Sequence, residues 1–190
     1  MAFTVILDSC VLYPLPLRDT LLRAAAQDLY VPRWSARILD EVSRNLVEDH
    51  RATPAQAARM IAAMGRAFDD AEVPATVIAA LETTMNNAPE DRHVLAAAVA
   101  SHDAQTIVTT NLRHFPAEAC DPLAIEVIHP DAFLCDLFER APERMHAALA
   151  DQAAALTRPP MTVSDVLDRL HDTIPTFVGR IRDTAAPRGN

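Results

Sequence analysis

The stretch Phe3-Thr-Val-Ile-Leu-Asp8 constrains the fold more than any other part of the chain. A run of β-branched and bulky apolar residues reads as a fully buried strand, of the kind found in the middle of a parallel sheet. Its last residue is a carboxylate, and in open α/β sheets ligands bind in the crevice beyond the carboxyl ends of the strands. Asp8, with Ser9 and Cys10 after it, is therefore either a metal ligand or a cap that forms a turn.

The segments that follow alternate between the two periodicities. Val11 to Pro16 reads as an apolar loop whose prolines delay the next helix, which the spacing of Leu17, Leu21, Leu22 and Ala25 predicts over 17–26. Leu29 to Pro32 is a short strand stopped by its proline. Trp34 to Asp49 is a second helix with Ile38, Val42 and Leu46 as its stripe and Ser35 as cap. Thr53-Pro54 opens a third in cap-then-proline order, running to about Phe68, and a fourth covers Pro74 to Met85. Pro89-Glu-Asp91 leads into Arg92–Ala100, apolar nearly all round and so a buried helix. Gln105–Thr110 and Ile125–Ile128 are strands, Asn111–Pro116 is a turn, and Pro130–Arg140 is a helix.

This alternation predicts an α/β fold: a three-layer α/β/α sandwich on a short, mostly parallel central sheet, occupying residues 1–141. Strands then stop, and residues 142–190 read as a helical C-terminal extension. It comprises an alanine-rich helix over 143–156, a capping-box pattern at Thr162–Asp165 before Val166, Leu167 and Leu170, a last turn or two at 174–181, and a frayed end from Ala185 to Asn190. The stripe Val163, Val166, Leu167 and Leu170 either packs on its own domain or faces a partner.

Composition excludes several chemistries. All 17 basic residues are arginine, which removes Walker-type phosphate loops, Schiff-base catalysis and the lysine-dependent receiver site. With only Gly65, Gly179 and Gly189, no glycine-rich loop exists to cradle a dinucleotide. A net charge of −9 argues against broad non-specific nucleic-acid binding, yet is compatible with a nuclease whose acidic site is offset by metal ions and nearby arginines. Cys10, Cys120 and Cys135 match no zinc or redox spacing and read as reduced thiols. No stretch approaches the ~20 apolar residues of a membrane span. The N-terminal run lacks a basic region, so a cytoplasmic protein with no membrane partner is expected.

Three more residues qualify to join Asp8. Glu41 lies at the flank of the apolar stripe of its helix, near Trp34, either snorkelling to water or serving a site. Asp91 begins the buried helix, where capping and the helix dipole favour an aspartate in any case. Since that helix is buried, its N-terminus also points into the crevice, with Glu90 as the solvent-facing neighbour. Asn111 follows its strand as Asp8 follows the first, and is either a turn residue or a site residue. His114 reads as a surface histidine.

Val5-Ile-Leu-Asp8-Ser-Cys-Val-Leu12, Ile38-Leu-Asp-Glu41, Pro89-Glu-Asp91-Arg-His-Val-Leu-Ala-Ala-Ala98 and Ile107-Val-Thr-Thr-Asn111-Leu-Arg-His-Phe115, in that order, resemble the motifs of the PIN-domain nuclease family. More narrowly they are similar to the VapC-type toxins of bacterial toxin–antitoxin pairs. The resemblance runs from about residue 3 to residue 140. It implies a metal-dependent endoribonuclease with Asp8, Glu41 and Asp91 as the first three members of an acidic quartet. It also implies a small antitoxin partner covering the cleft, and a homodimer. Asn111 falls where many relatives carry an aspartate, which removes one charge and puts a second metal ion in question.

Such residues suit that chemistry on physical grounds as well. Converging carboxylates repel one another unless cations are bound, and oxygen-only ligation suits Mg²⁺ or Mn²⁺ rather than zinc. Asp8 and Asp91 are then expected as ligands, Glu41 as ligand or orienter of water, and Asn111 as an outer contact. Ser9 and Thr110 are candidates to hydrogen-bond phosphate or a carboxylate, and Arg18, Arg37, Arg92 and Arg113 to counter backbone phosphate. The alternative is a non-catalytic PIN-like module that binds RNA or protein, its metal site weakened by Asn111. A haloacid-dehalogenase phosphotransferase is rejected, since Cys10 stands where its second aspartate belongs and its lysine is missing.

Overall fold

A computed structural model of the protein describes residues 3–101 and 103–185. In chain order the elements are β1 (Thr4–Leu7), α1 (Ser9–Leu12), α2 (Leu15–Ala26), β2 (Val31–Ser35), α3 (Ala36–Glu48), α4 (Pro54–Ala67), β3 (Glu72–Val73) and α5 (Ala75–Glu82). They continue with α6 (Arg92–Ala100), β4 (Ala104–Val108), α7 (Ala117–Cys120), β5 (Glu126–Ile128), α8 (Pro130–Arg140), α9 (Pro142–Ala155), α10 (Val163–Leu170) and α11 (Pro175–Ala185). Short 3-10 turns precede α6 at Pro89–Asp91 and follow β4 at Leu112–His114. The frayed end expected from Ala185 falls outside the described residues, apart from Ala185 itself, which closes α11. No described helix is long and apolar enough to cross a membrane, and the three cysteines carry free thiols.

The chain gathers into two compact units, the first formed by residues up to Tyr13 together with Tyr30–Ile128. It is built on a five-stranded, all-parallel sheet in the order β3-β2-β1-β4-β5. β1 is central, and its Val5, Ile6 and Leu7 are completely buried, as the apolar run demands. Helix α6 packs on β4, β1 and β2, while α3 covers β2 and carries α1 and α4. The architecture is the three-layer α/β/α sandwich of the PIN type, with further helices toward the C-terminus. After β3 the chain crosses back to the other side of β1, so the order reverses between β1 and β4. That reversal opens the crevice in which ligands of such sheets bind.

Two local readings are corrected and one short strand is added. Val11 and Leu12 lie in the single helical turn α1, which Asp8 caps by accepting a hydrogen bond from Ser9 N (2.6 Å). Pro32 does not stop β2, which runs on through Trp34 and Ser35. Val31 N donates to Phe3 O just before β1, so the ring nitrogen of Pro32 faces the opposite flank, where β3 pairs only with Trp34 and Ser35. No ladder bond is lost, which is how a proline is tolerated in a strand. β3 itself, two residues long, has no periodic signal in the sequence. Trp34 is buried and meets Phe68 edge-on at 6.0 Å. Ser35 does cap α3, accepting from Ile38 N at 3.1 Å.

The second unit comprises Pro14–Leu29 and His129–Asn190, so α2 belongs with the C-terminal helices. α2 packs along α9, and α10 contacts α9, α2 and α11. Buried Gln152 of α9 is satisfied by α2, accepting from Thr20 Oγ1 (2.8 Å) and donating to the Pro16 carbonyl (3.0 Å). Thr162 and Asp165 form the capping box of α10, which buries Val166, Leu167 and Leu170. Asp131 of α8 fixes the start of α11 by accepting from Thr176 N (3.1 Å) and Phe177 N (2.8 Å).

Candidate functional site

At the carboxyl ends of β1 and β4 the chain brings together Asp8, Cys10 and Thr109. Asp8 N donates to Val108 O (3.2 Å), which ties the two strand ends to each other. The Asp8 side chain is 1% exposed. Its Oδ1 accepts from Ser9 N, and its Oδ2 accepts from Thr109 Oγ1 (2.6 Å) and from the Cys10 thiol (3.2 Å). Burial, with the Asp8 charge adding to it, pushes the Cys10 thiol up to about 11, so it sits there neutral. Thr110 N donates to Cys10 Sγ (3.2 Å), and the Thr110 side chain is exposed.

Asp91 reaches the same place from the turn before α6. Although it occupies the N-cap position, its side chain makes no capping bond. Instead Asp91 Oδ2 meets His114 Nδ1 at 2.6 Å. His114 is thus not the surface histidine expected: its ring is half-buried against Asp91 because Ala88 N donates to His114 O (3.1 Å) and ties the two turns together. Burial pushes the Asp91 carboxyl above its usual range; the hydrogen bond from His114 works against this, and the charge of Asp8 adds to the rise. The charges of these two carboxylates disfavour one another.

Glu41, on α3, points inward with 19% of its side chain exposed, so it does not snorkel. Its Oε1 lies 3.1 Å from His93 Nε2, within ion-pair range but too bent for a hydrogen bond, and 3.6 Å from Arg37 Nε. Burial would raise the Glu41 carboxyl, but the imidazole of His93, the hydroxyl of Ser9 and the guanidinium of Arg37 outweigh it and hold it below the usual range. A carboxyl depressed on folding contributes stability above its unfolded value, and that contribution is lost as pH falls through the folded value. In chelator-treated protein, stability should therefore fall more steeply for the wild type than for Glu41→Gln as pH drops below about 4.3. Urea midpoints between pH 6 and pH 3 measure this, and parallel curves would refute it.

Asn111 makes its contacts through the backbone: its N donates to Thr109 Oγ1 (3.0 Å) and its O accepts from His114 N (2.9 Å). The carboxamide does not join the bonds among the carboxylates. Glu90 is exposed, as expected of a solvent-facing neighbour. Arg37 pairs with Glu82 (2.8 Å), Arg92 donates to Asn87 O (3.4 Å), and exposed Arg113 donates to His114 Nε2 (3.3 Å). Arg18 lies on α2 in the second unit and is buried.

Sequence reasoning missed Thr109, Cys10 and His93 as parts of this arrangement. His93 is completely buried, and the signal for it was present: it is the one ionisable side chain between Arg92 and the end of an otherwise apolar helix. Nothing in the sequence set Thr109 apart from Thr110.

Among the described residues no group of three or more His, Cys, Asp or Glu side chains is arranged to hold a metal ion unaided. The donors nonetheless fit a hard, hydrated cation. Mg²⁺ keeps several waters and commonly takes only one or two carboxylates together with substrate phosphate. Asp8 and Asp91 supply such a pair, and the charge between them is what a cation would relieve.

Known proteins point the same way as the motifs. The family described as the VapC50 C-terminal domain matches residues 130–183. A curated protein of Mycobacterium tuberculosis, named "Putative ribonuclease VapC50", is 43% identical over 102 residues. Over these stretches the chain is similar to VapC proteins. The shared stretch covers 54% of this chain and 60% of the VapC50 protein, so the chain spans less than two thirds of that relative's length. No solved structure matches it. The VapC50 C-terminal match lies wholly inside the second unit, over α8 to α11, and thus accounts for the helices that the PIN motifs leave out.

Proposed function

We propose that this protein is a metal-dependent endoribonuclease and the toxin of a toxin–antitoxin pair. The observation that carries this reading is that Asp8, buried at the carboxyl end of β1, and Asp91, held by His114 from the turn after β4, lie near enough for the Asp8 charge to raise the Asp91 carboxyl. The name of the M. tuberculosis relative, a putative ribonuclease, supports RNA as the substrate, and the resemblance of the motifs to VapC-type toxins implies a small antitoxin protein as partner. A homodimer and a cytoplasmic setting accompany that reading.

Asp8 and Asp91 would hold Mg²⁺ or Mn²⁺. Such an ion supplies positive charge to the scissile phosphate and makes an attacking water more acidic. Glu41, kept ionised by His93 and Arg37, orients that water through its carboxylate. The water oxygen bonds to phosphorus as the bond to the departing ribose oxygen breaks. Asn111, uncharged, is an outer contact and leaves the site one carboxylate poorer than a full quartet. The Ser9 and Thr110 hydroxyls and the Arg92 and Arg113 guanidinium groups are the candidates to meet substrate phosphate. Arg18, buried in the second unit, is a weaker candidate for that task.

Incubating the protein with RNA oligonucleotides in Mn²⁺, in Mg²⁺ and in excess chelator tests this directly. Internal cuts that appear with either ion and vanish with chelator are expected. Growth of a bacterial host should stop on expression of the wild type and continue with Asp8→Asn. A folded protein that binds neither ion and leaves RNA intact would instead be a PIN-like module for binding RNA or protein.

A further inference from the structure

We infer that Arg113 and His114 form a hydrogen-bonded relay that sets the orientation of the Asp91 carboxylate, making His114 a positioning residue for the metal site. Arg113 Nε carries a hydrogen and can only donate, so at 3.3 Å the His114 Nε2 facing it must offer its lone pair. The ring proton then resides on Nδ1, which stands 2.6 Å from Asp91 Oδ2 and donates to it. One carboxylate oxygen is thereby engaged and Oδ1 is left for a ligand. Two backbone bonds keep the ring where the relay needs it: His114 N donates to Asn111 O (2.9 Å), and Ala88 N donates to His114 O (3.1 Å). The relay therefore joins the turn after β4 to the turn before α6, the two segments that carry Asn111 and Asp91. Asp91 needs this support because its own helix does not supply any: its side chain makes no capping bond to α6. Glu90, whose carboxylate lies 3.9 Å from the same Nδ1, is too far to replace it.

The inference rests on Asp91 being a metal ligand, and the experiment separates the two. Mn²⁺ binding is measured by calorimetry on the full chain for wild type, His114→Ala, His114→Asn and Arg113→Ala. Histidine ring ¹⁵N spectra are recorded on the wild type and Arg113→Ala. Removing an outer partner of a ligand typically weakens metal binding about 10–100-fold, and that loss is expected for His114→Ala. Asn places an amide donor near the position of Nδ1 and should restore most of the affinity. Arg113→Ala should weaken binding by a smaller factor and free the tautomer, visible as a shift of the unprotonated nitrogen signal away from Nε2. Wild-type affinity in His114→Ala would overturn the relay while leaving Asp91 as a ligand. Equal loss in His114→Asn would also overturn it, marking the ring itself as a ligand. A wild type that binds no Mn²⁺ would overturn the ligand reading first.

Discussion

Asp91→Asn should leave the chain better folded without metal and nearly inactive with it. The Asp91 carboxyl is pushed up by burial and by the charge of Asp8, so at neutral pH its ionisation opposes folding. That opposition fades as pH falls through the folded value and is gone below the unfolded value of about 3.9. An asparagine removes it at every pH while keeping an oxygen to accept from His114 Nδ1, so the metal-free variant should melt higher than the wild type at pH 7 and equal to it near pH 3. Adding Mn²⁺ reverses the order. A ligand at a hundred times its Kd stabilises the protein that binds it by about 2.7 kcal/mol, or about 5–10 °C for a chain of this size, and the variant should gain almost none of this. RNA cleavage should fall by more than about a hundredfold, beyond what loss of an outer contact costs. Melting curves with chelator and with Mn²⁺, beside a cleavage assay, give all three outcomes. A variant that melts lower without metal would show that Asp91 is structural.

How far this site could be read from the sequence depended on the kind of signal each residue leaves. Asp8 was legible because a buried apolar run that ends in a carboxylate marks the carboxyl end of a central strand, and β1 does occupy the centre of the sheet. Glu41 and Asp91 were legible as positions, since one flanks an apolar stripe and the other opens a buried helix. What their side chains touch was not, because periodicity reports faces and says nothing of partners. His114 illustrates the gap: alone it is an ordinary turn histidine, and only the bond from Ala88 to its carbonyl brings it to Asp91. The same limit applies to the fold. Pro32 ends a strand by propensity, yet survives because β3 is too short to need its missing N–H. Helix α2 gave the spacing of a helix but no hint that it groups with α9, which begins only at Pro142, beyond the whole sheet.

Thr109→Val should cost about 2–4 kcal/mol of stability although it keeps the shape of the side chain. Thr109 is completely buried, and its hydroxyl does two things that a methyl group cannot. It donates to Asp8 Oδ2 at 2.6 Å, and it accepts from Asn111 N at 3.0 Å. A hydrogen bond to a charged group contributes about 1.5–3 kcal/mol, and the half-buried Asn111 N–H left without its acceptor adds a smaller cost; the two share one hydroxyl and do not simply add. Cys10 cannot compensate: its thiol already meets Asp8 Oδ2 at 3.2 Å and is a weak donor. Loss of the bond also frees Asp8 to turn, so Mn²⁺ affinity should drop about 10–100-fold together with the urea midpoint. Thr109→Ser retains the hydroxyl and should lose little of either. If Thr109→Val unfolds and binds metal like the wild type, the hydroxyl is not what holds Asp8 at the end of β1.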